Sequence, residues 1–195
     1  SPDESKNVMN RVIKRVDGRV PVIVGVSNPD IKKLIKISNS AMAAGAAGIM
    51  VAPNSSHHND ETIFNYYVEV DKALESKIPM IYQDFPLVTK APISLDCLMR
   101  IIREIPQVVM LKHEDWPGLE KLSELRSRSK AEGLRRISIL CGNGGLYLPQ
   151  ELSRGADGAM TGFAYPEMLV SVCKKFENGD HDDAEDLFDL YLPVI

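Results

Sequence analysis

The 195-residue chain is 44% apolar with a formal net charge of -4, enough apolar content for one sizeable core or for most of a larger single domain. Its basic residues are scattered, as in IKRVDGR and ELRSRSKAEGLRR, so no nucleic-acid partner is expected. No apolar run reaches the roughly 18 residues of a membrane span, SPDESKNVMN lacks a signal-peptide pattern, and Cys97, Cys141 and Cys173 form no CxxC pair, which argues against a disulfide framework or a zinc site and suits a reducing cytoplasm.

Helical and strand-like segments alternate along the chain. A helix over PDESKNVMNRVIKRV (2–16) precedes the apolar run RVPVIVGVS (19–27), DIKKLIKISNSAMAAG (30–45) precedes AAGIMVAPN (46–54), and DETIFNYYVEVDKALES (60–76) precedes IPMIYQDFP (78–86). Then SLDCLMRIIREI (94–105) leads to QVVMLKHED (107–115), GLEKLSELRSRSKAEG (118–133) to RRISILCGN (135–143), and LPQELSRG (148–155) to ADGAMTGFA (156–164). The strands start about 20 to 32 residues apart, the length of a strand, a helix and two short loops. Ser94 or Asp60 is placed to cap a helix start, and Gly18, Gly45 and Gly155 stand where a helix ends in a left-handed residue. Continuously apolar strands are those covered on both faces, which predicts a parallel sheet with crossover helices. AMAAGAAGIMV and LSRGADGAM repeat one helix-turn-strand unit.

Six βα units without a GxGxxG turn predict an α/β fold of the (β/α)₈ barrel type and not a dinucleotide-binding open sheet. Six is two short of eight, so the expectation is an incomplete barrel over residues 1–179, followed at 180–195 by the start of a C-terminal helical region, with the natural protein extending beyond this chain.

Barrel active sites gather at the C-terminal ends of the strands. Lys112 directly follows Val108 to Leu111 and so stands there. Either it snorkels to water or pairs with Glu114 or Asp115, or it is a desolvated amine able to attack a ketone and form a Schiff base. Cys141 to Gly145, CGNGG, is either a tight turn or a place where backbone amides approach a ligand anion. His57 and His58 read as a loop before a helix cap and not as metal ligands, and no metal is expected. Cys141 reads as a buried structural thiol, and Ile63, Tyr66, Tyr67 and Val70 form a helical stripe for the core or a subunit interface.

The order GRVPVIVGVS, AGAAGIMVAP, IPMIYQDFP, VVMLKHED, CGNGG and RGADGAMTGFA resembles the dihydrodipicolinate synthase and N-acetylneuraminate lyase family of class I aldolases. The resemblance covers nearly the whole chain. It implies a (β/α)₈ barrel, a homo-oligomer (dimer or tetramer), and a lysine, Lys112 here, that forms a Schiff base with pyruvate or another 2-oxo acid without a further cofactor. It also implies two earlier strands, the second ending in a carboxylate-binding loop, with Ser1 to Glu4 just after it. Gly142, Asn143 and Gly144, with Thr161 and Gly162, fall on segments near the bound keto acid.

Three departures bear on the chemistry. The family's strand usually ends Tyr-Asn-x-Pro, with the tyrosine as proton relay. Aligning PMIYQDFP without a gap puts Gln83 in the tyrosine place and Tyr82 one residue earlier, and a one-residue shift on a strand moves a side chain to the other face. A shifted register instead restores Tyr82 to the site. The tyrosine loop of the synthases is replaced by Ala-Pro followed by Asn54, Ser55 and Ser56, and their substrate-holding arginine is missing from Leu-Val-Thr after Pro86.

The leading expectation is therefore a Schiff-base lyase acting on a hydroxylated 2-oxo acid, with Lys112 as nucleophile and Gln83 or Tyr82, with a water, assisting proton transfer. The alternatives are a catalytically silent keto-acid-binding barrel and, behind it, a true 4-hydroxy-tetrahydrodipicolinate synthase with Tyr82 in the relay.

Overall fold

Each strand segment is short, β-branched and apolar, and each is followed by a run whose apolar residues recur at helical spacing, so the chain folds as repeated βα units. The computed structural model describes residues 2–74, 77–116 and 118–195. Glu75 and Ser76, the end of the third expected helix, lie outside the described residues, as does Ser1.

The strands are β1 (Ile23–Gly25), β2 (Gly48–Val51), β3 (Met80–Asp84), β4 (Val108–His113), β5 (Ser138–Cys141) and β6 (Gly158–Ala159). Around them run α1 (Pro2–Val16), α2 (Ile31–Ala43), α3 (Asp60–Ala73), α4 (Pro86–Thr89), α5 (Leu95–Glu104), α6 (Leu119–Ala131), α7 (Leu148–Leu152), α8 (Pro166–Asn178) and α9 (His181–Asp189). The six strands follow chain order in a sheet, and the described pairings are parallel, with Val51 opposite Tyr82 and His113 opposite Cys141. Among the described residues no helix is long and apolar enough to cross a membrane.

The chain divides into two compact units, Ser1–Val109 and Met110–Ile195, the boundary falling inside β4. In the first, the stripe Ile63, Tyr66, Tyr67 and Val70 of α3 is buried, as core and not as surface. The Tyr67 hydroxyl donates to the Val51 carbonyl at 2.6 Å, which fixes α3 on the end of β2. Ser94 caps α5 through the Cys97 amide. Asp60 has a different task from the expected one. Asn59 caps α3 in a capping box with Thr62, while the Asp60 carboxylate accepts from the Ser94 amide and hydroxyl and so ties the start of α3 to the start of α5.

In the second unit, Cys141, Leu148, Met168, Leu169, Val172, Ala184 and Phe188 form one buried cluster that joins β5, α7, α8 and α9. Along β4 and β5 the helix-facing Leu111, His113, Ile139 and Cys141 are buried, while Met110, Lys112, Ser138 and Leu140 on the opposite face are half-buried.

Gly18, Gly45 and Gly155 do adopt positive φ at the helix ends. After Gly155, the Asp157 carboxylate takes the Arg126 guanidinium at 2.8 Å, the Ile139 amide at 2.8 Å and Arg136. Arg126 also donates to the Gly155 and Ile137 carbonyls at 2.9 and 2.8 Å, so one guanidinium and one carboxylate staple β5 to β6. Partial burial would raise the Asp157 carboxyl, but Arg136, the Ile139 amide and Arg126 hold it below the ordinary aspartate range. A carboxylate depressed in the folded state stabilises the fold above its unfolded value and loses that contribution as pH falls through its folded one. Asp157→Asn should therefore cost about 1 kcal/mol at pH 7, allowing for solvent screening, and the gap from wild type should close in acid below the folded value. Urea unfolding at pH 7 and in acid checks both.

Candidate active site

β3 distributes its side chains between two faces by the two-residue period of a strand. Tyr82 is fully buried and stacks on Tyr67 of α3, with ring centroids 4.7 Å apart and planes at 25°. Burial first, then the neighbouring Tyr67 and Asp84, push its phenol well above the ordinary tyrosine range, and its oxygen has no hydrogen-bond partner among the described residues. Tyr82 thus packs against the helices of its unit, on the face of β3 toward α3.

Gln83 takes the opposite face and lines an open cleft of about 610 Å³ at the C-terminal ends of β1, β2 and β3, together with Ser27, Asn54 and Thr89. Val88 is exposed on the short α4. The adjacent histidines serve the loop. His57 Nδ1 accepts from the Asn54 amide at 3.2 Å and its ring lies 4.3 Å from Tyr66, while His58 Nδ1 meets the Ser56 carbonyl at 3.1 Å. Burial lowers the His57 pKa. Among the described residues no group of three or more His, Cys, Asp or Glu is placed to hold a metal ion.

In the second unit, the run Lys112-His113-Glu114-Asp115 is sorted by the same alternation. Lys112 and Glu114 share one face and pair at 3.3 Å, their side chains only 14% and 6% exposed. His113 takes the other face, where Nδ1 meets Glu151 Oε1 of α7 at 2.9 Å in a fully buried pair. Asp115, past the strand, accepts from Lys121 at 3.0 Å. Each charge in the run has its own partner.

The turn after β5 is shaped around Glu114. The Asn143 amide donates to Glu114 Oε1 at 3.4 Å, and the Asn143 side-chain amide donates to the Glu114 carbonyl at 3.0 Å. A Cβ on Gly142 would lie 2.1 Å from Glu114 Cγ, far inside contact distance. The Gly142 amide donates to the His113 carbonyl at 2.9 Å, and the Gly145 amide closes the turn on the Gly142 carbonyl at 2.7 Å. The amides of Gly142 and Asn143 are thus directed to β4, and Gly142 lets the turn pack closely on Glu114. Asn143 and Gly144 follow in the left-handed region. Thr161 is half-buried, its methyl facing Gly145, and Gly162 borders open space.

Cys141 is buried, and burial first, then Glu151, pushes its thiol far above the ordinary range, which favours the protonated form of a packed core thiol. Glu151 escaped the sequence reading, because nothing in LPQEL marks one glutamate as the partner of a histidine 38 residues away. Glu114 was visible only as one of two acids able to neutralise the lysine.

A model of the Dihydrodipicolinate synthetase family matches residues 1–195. The chain belongs to that family. An L-2-keto-3-deoxyarabonate dehydratase of Azospirillum brasilense is 32% identical, over 99% of this chain and 62% of its own length. A 4-hydroxy-tetrahydrodipicolinate synthase of Thermus thermophilus is 31% identical, over 95% of this chain and 60% of its own. The crystal structure of a dihydrodipicolinate synthase from Rhodopseudomonas palustris superposes with a TM-score of 0.95 at 44% identity, covering 100% of this chain and 64% of that one. The chain spans 62% and 60% of the length of these two curated relatives. The six parallel βα units are consistent with part of the expected barrel.

Gly142→Ala should destabilise the protein by about 1 to 3 kcal/mol, the usual cost of forcing volume into a packed site. On a Glu114→Ala background most of that cost should disappear, giving a coupling of at least about 1 kcal/mol between the two positions. Urea unfolding of the four proteins in this double-mutant cycle measures it.

Proposed function

We propose that this family member is a lyase that captures pyruvate or a related 2-oxo acid as a Schiff base on Lys112. The observation that carries the proposal is the Lys112 amine at the C-terminal end of β4, largely withdrawn from water and 3.3 Å from a buried carboxylate. An amine so placed can lose its proton locally and attack a ketone carbon, and the resulting iminium draws electrons from the neighbouring carbon, which is what carbon-carbon or carbon-oxygen cleavage requires. No metal or organic cofactor enters this scheme.

A hydroxylated, carbohydrate-derived 2-oxo acid is the proposed substrate class. The named dehydratase relative supports it, as does Val88 at the place of the synthases' carboxylate-holding arginine. Gln83, with no acidic proton to give, is assigned to orienting a substrate oxygen in the cleft it lines. The polar group of the substrate would also lie near Gly144, Thr161 and Gly162. A homo-oligomer, dimer or tetramer, in the cytoplasm completes the proposal, with residues 180–195 opening a C-terminal helical region.

The orientation of Tyr82 away from the Gln83 face weighs against a true synthase that uses Tyr82. It also favours a second reading, a silent keto-acid binder, which would be stabilised by pyruvate in thermal unfolding while turning over no 2-oxo acid. Borohydride reduction in the presence of pyruvate separates them from the proposal in part: a covalent adduct on the Lys112 peptide, absent in Lys112→Ala, is the expected result. Cleavage or dehydration of a hydroxylated 2-oxo acid is expected in addition, and its absence across a panel would leave only the silent binder.

A further inference from the structure

Taking Lys112 as the Schiff-base lysine, we infer that Glu114 is the catalytic acid-base group of this protein, moving protons to and from the lysine nitrogen. Two observations meet at this residue. Its carboxylate lies 3.3 Å from Lys112 Nζ, close enough for transfer that tightens with substrate bound. It is nearly buried, held by the Asn143 amide and seated over Gly142, where no side chain could stand.

The lysine starts as an ammonium and cannot attack until it loses a proton. Glu114 takes that proton, and the neutral amine adds to C2 of the 2-oxo acid as the carbonyl electron pair moves to oxygen. Glu114 returns the proton to this alkoxide, giving a protonated carbinolamine. It then removes one proton from the nitrogen and delivers it to the hydroxyl, which leaves as water while the nitrogen lone pair forms the C=N bond. The balance is ammonium plus ketone to iminium plus water, and the carboxylate ends as it began. A carboxylate fixed two residues along the same strand face can make both transfers without leaving its seat.

A purely structural ion pair would hold the lysine charged, and its removal would speed capture or leave it unchanged. The two roles therefore predict opposite effects. Glu114→Gln keeps the shape and an oxygen for the Asn143 amide but cannot take the proton. With pyruvate as probe and borohydride quenching at timed intervals from pH 5 to 9, Glu114→Gln should form the Lys112 adduct about 10² to 10⁴ times more slowly than wild type, with the pH dependence flattened. Glu114→Asp should recover part of the rate. An unchanged or faster rate with an unchanged pH profile in Glu114→Gln overturns the assignment while leaving the Schiff base intact. No adduct in the wild type removes both this role and the proposed function on which it rests. If Glu114→Gln does not fold, Glu114→Asp decides: slower capture supports the role, and a wild-type rate overturns it.

Discussion

An ammonium group largely withdrawn from water needs a counter-charge held within reach, and here the counter-charge depends on an absent side chain. Glu114 lies beside Lys112 because the chain opposite is glycine at 142, and any Cβ there would meet the glutamate's own methylene at 2.1 Å. Gly142 is fixed in turn by its amide on the His113 carbonyl, so the turn after β5 and the end of β4 define each other's position. A buried ion pair is not in itself a strong source of stability, since desolvating two charges offsets much of their attraction. What it secures is geometry: one carboxylate, in one place, against one amine.

The alternation of a strand does the rest of the sorting. Four consecutive ionisable residues, Lys112 to Asp115, would be a costly cluster if they shared a face. Because β4 turns each side chain away from its neighbours, Lys112 and Glu114 meet on one side, and His113 pairs with Glu151 on the other. The His113–Glu151 pair, buried between β4 and α7, anchors the strand end from the helix side, so Lys112 is positioned by a link that never touches it. The same alternation operates on β3, where Tyr82 goes to the helices and Gln83 to the cleft.

Most of the fold was legible because it rests on local signals. All six strands fall inside the apolar runs that mark them, and α1, α2, α5 and α6 end within a residue or two of their expected bounds. The glycine stops were readable since positive φ is a backbone demand that names its own residue. The expected cap at Asp60 was displaced because Asn59, one residue earlier, can reach forward to accept from the Thr62 amide, a choice that sequence spacing alone leaves open. Short α4 was invisible, a single turn started by Pro86 after an irregular Phe85. At the site, the location of Lys112 was legible and its surroundings were not. Which of Glu114 and Asp115 reaches the amine, and which glutamate meets His113, are long-range facts set by the path of the turn after β5 and by the seat of α7.

That distinction changes the meaning of the glycine-rich turn. CGNGG looks like a ligand cradle because glycines expose amides, and exposed amides bind anions. In this protein two of those amides are already occupied, by the His113 carbonyl and the Glu114 carboxylate. The anion the turn receives is the protein's own. The carboxylate that fills the seat is also the polar group beside the lysine nitrogen, and a carboxylate can accept a proton and give it back. In the first unit the same economy of packing makes Tyr82 a core residue under α3, stacked on Tyr67.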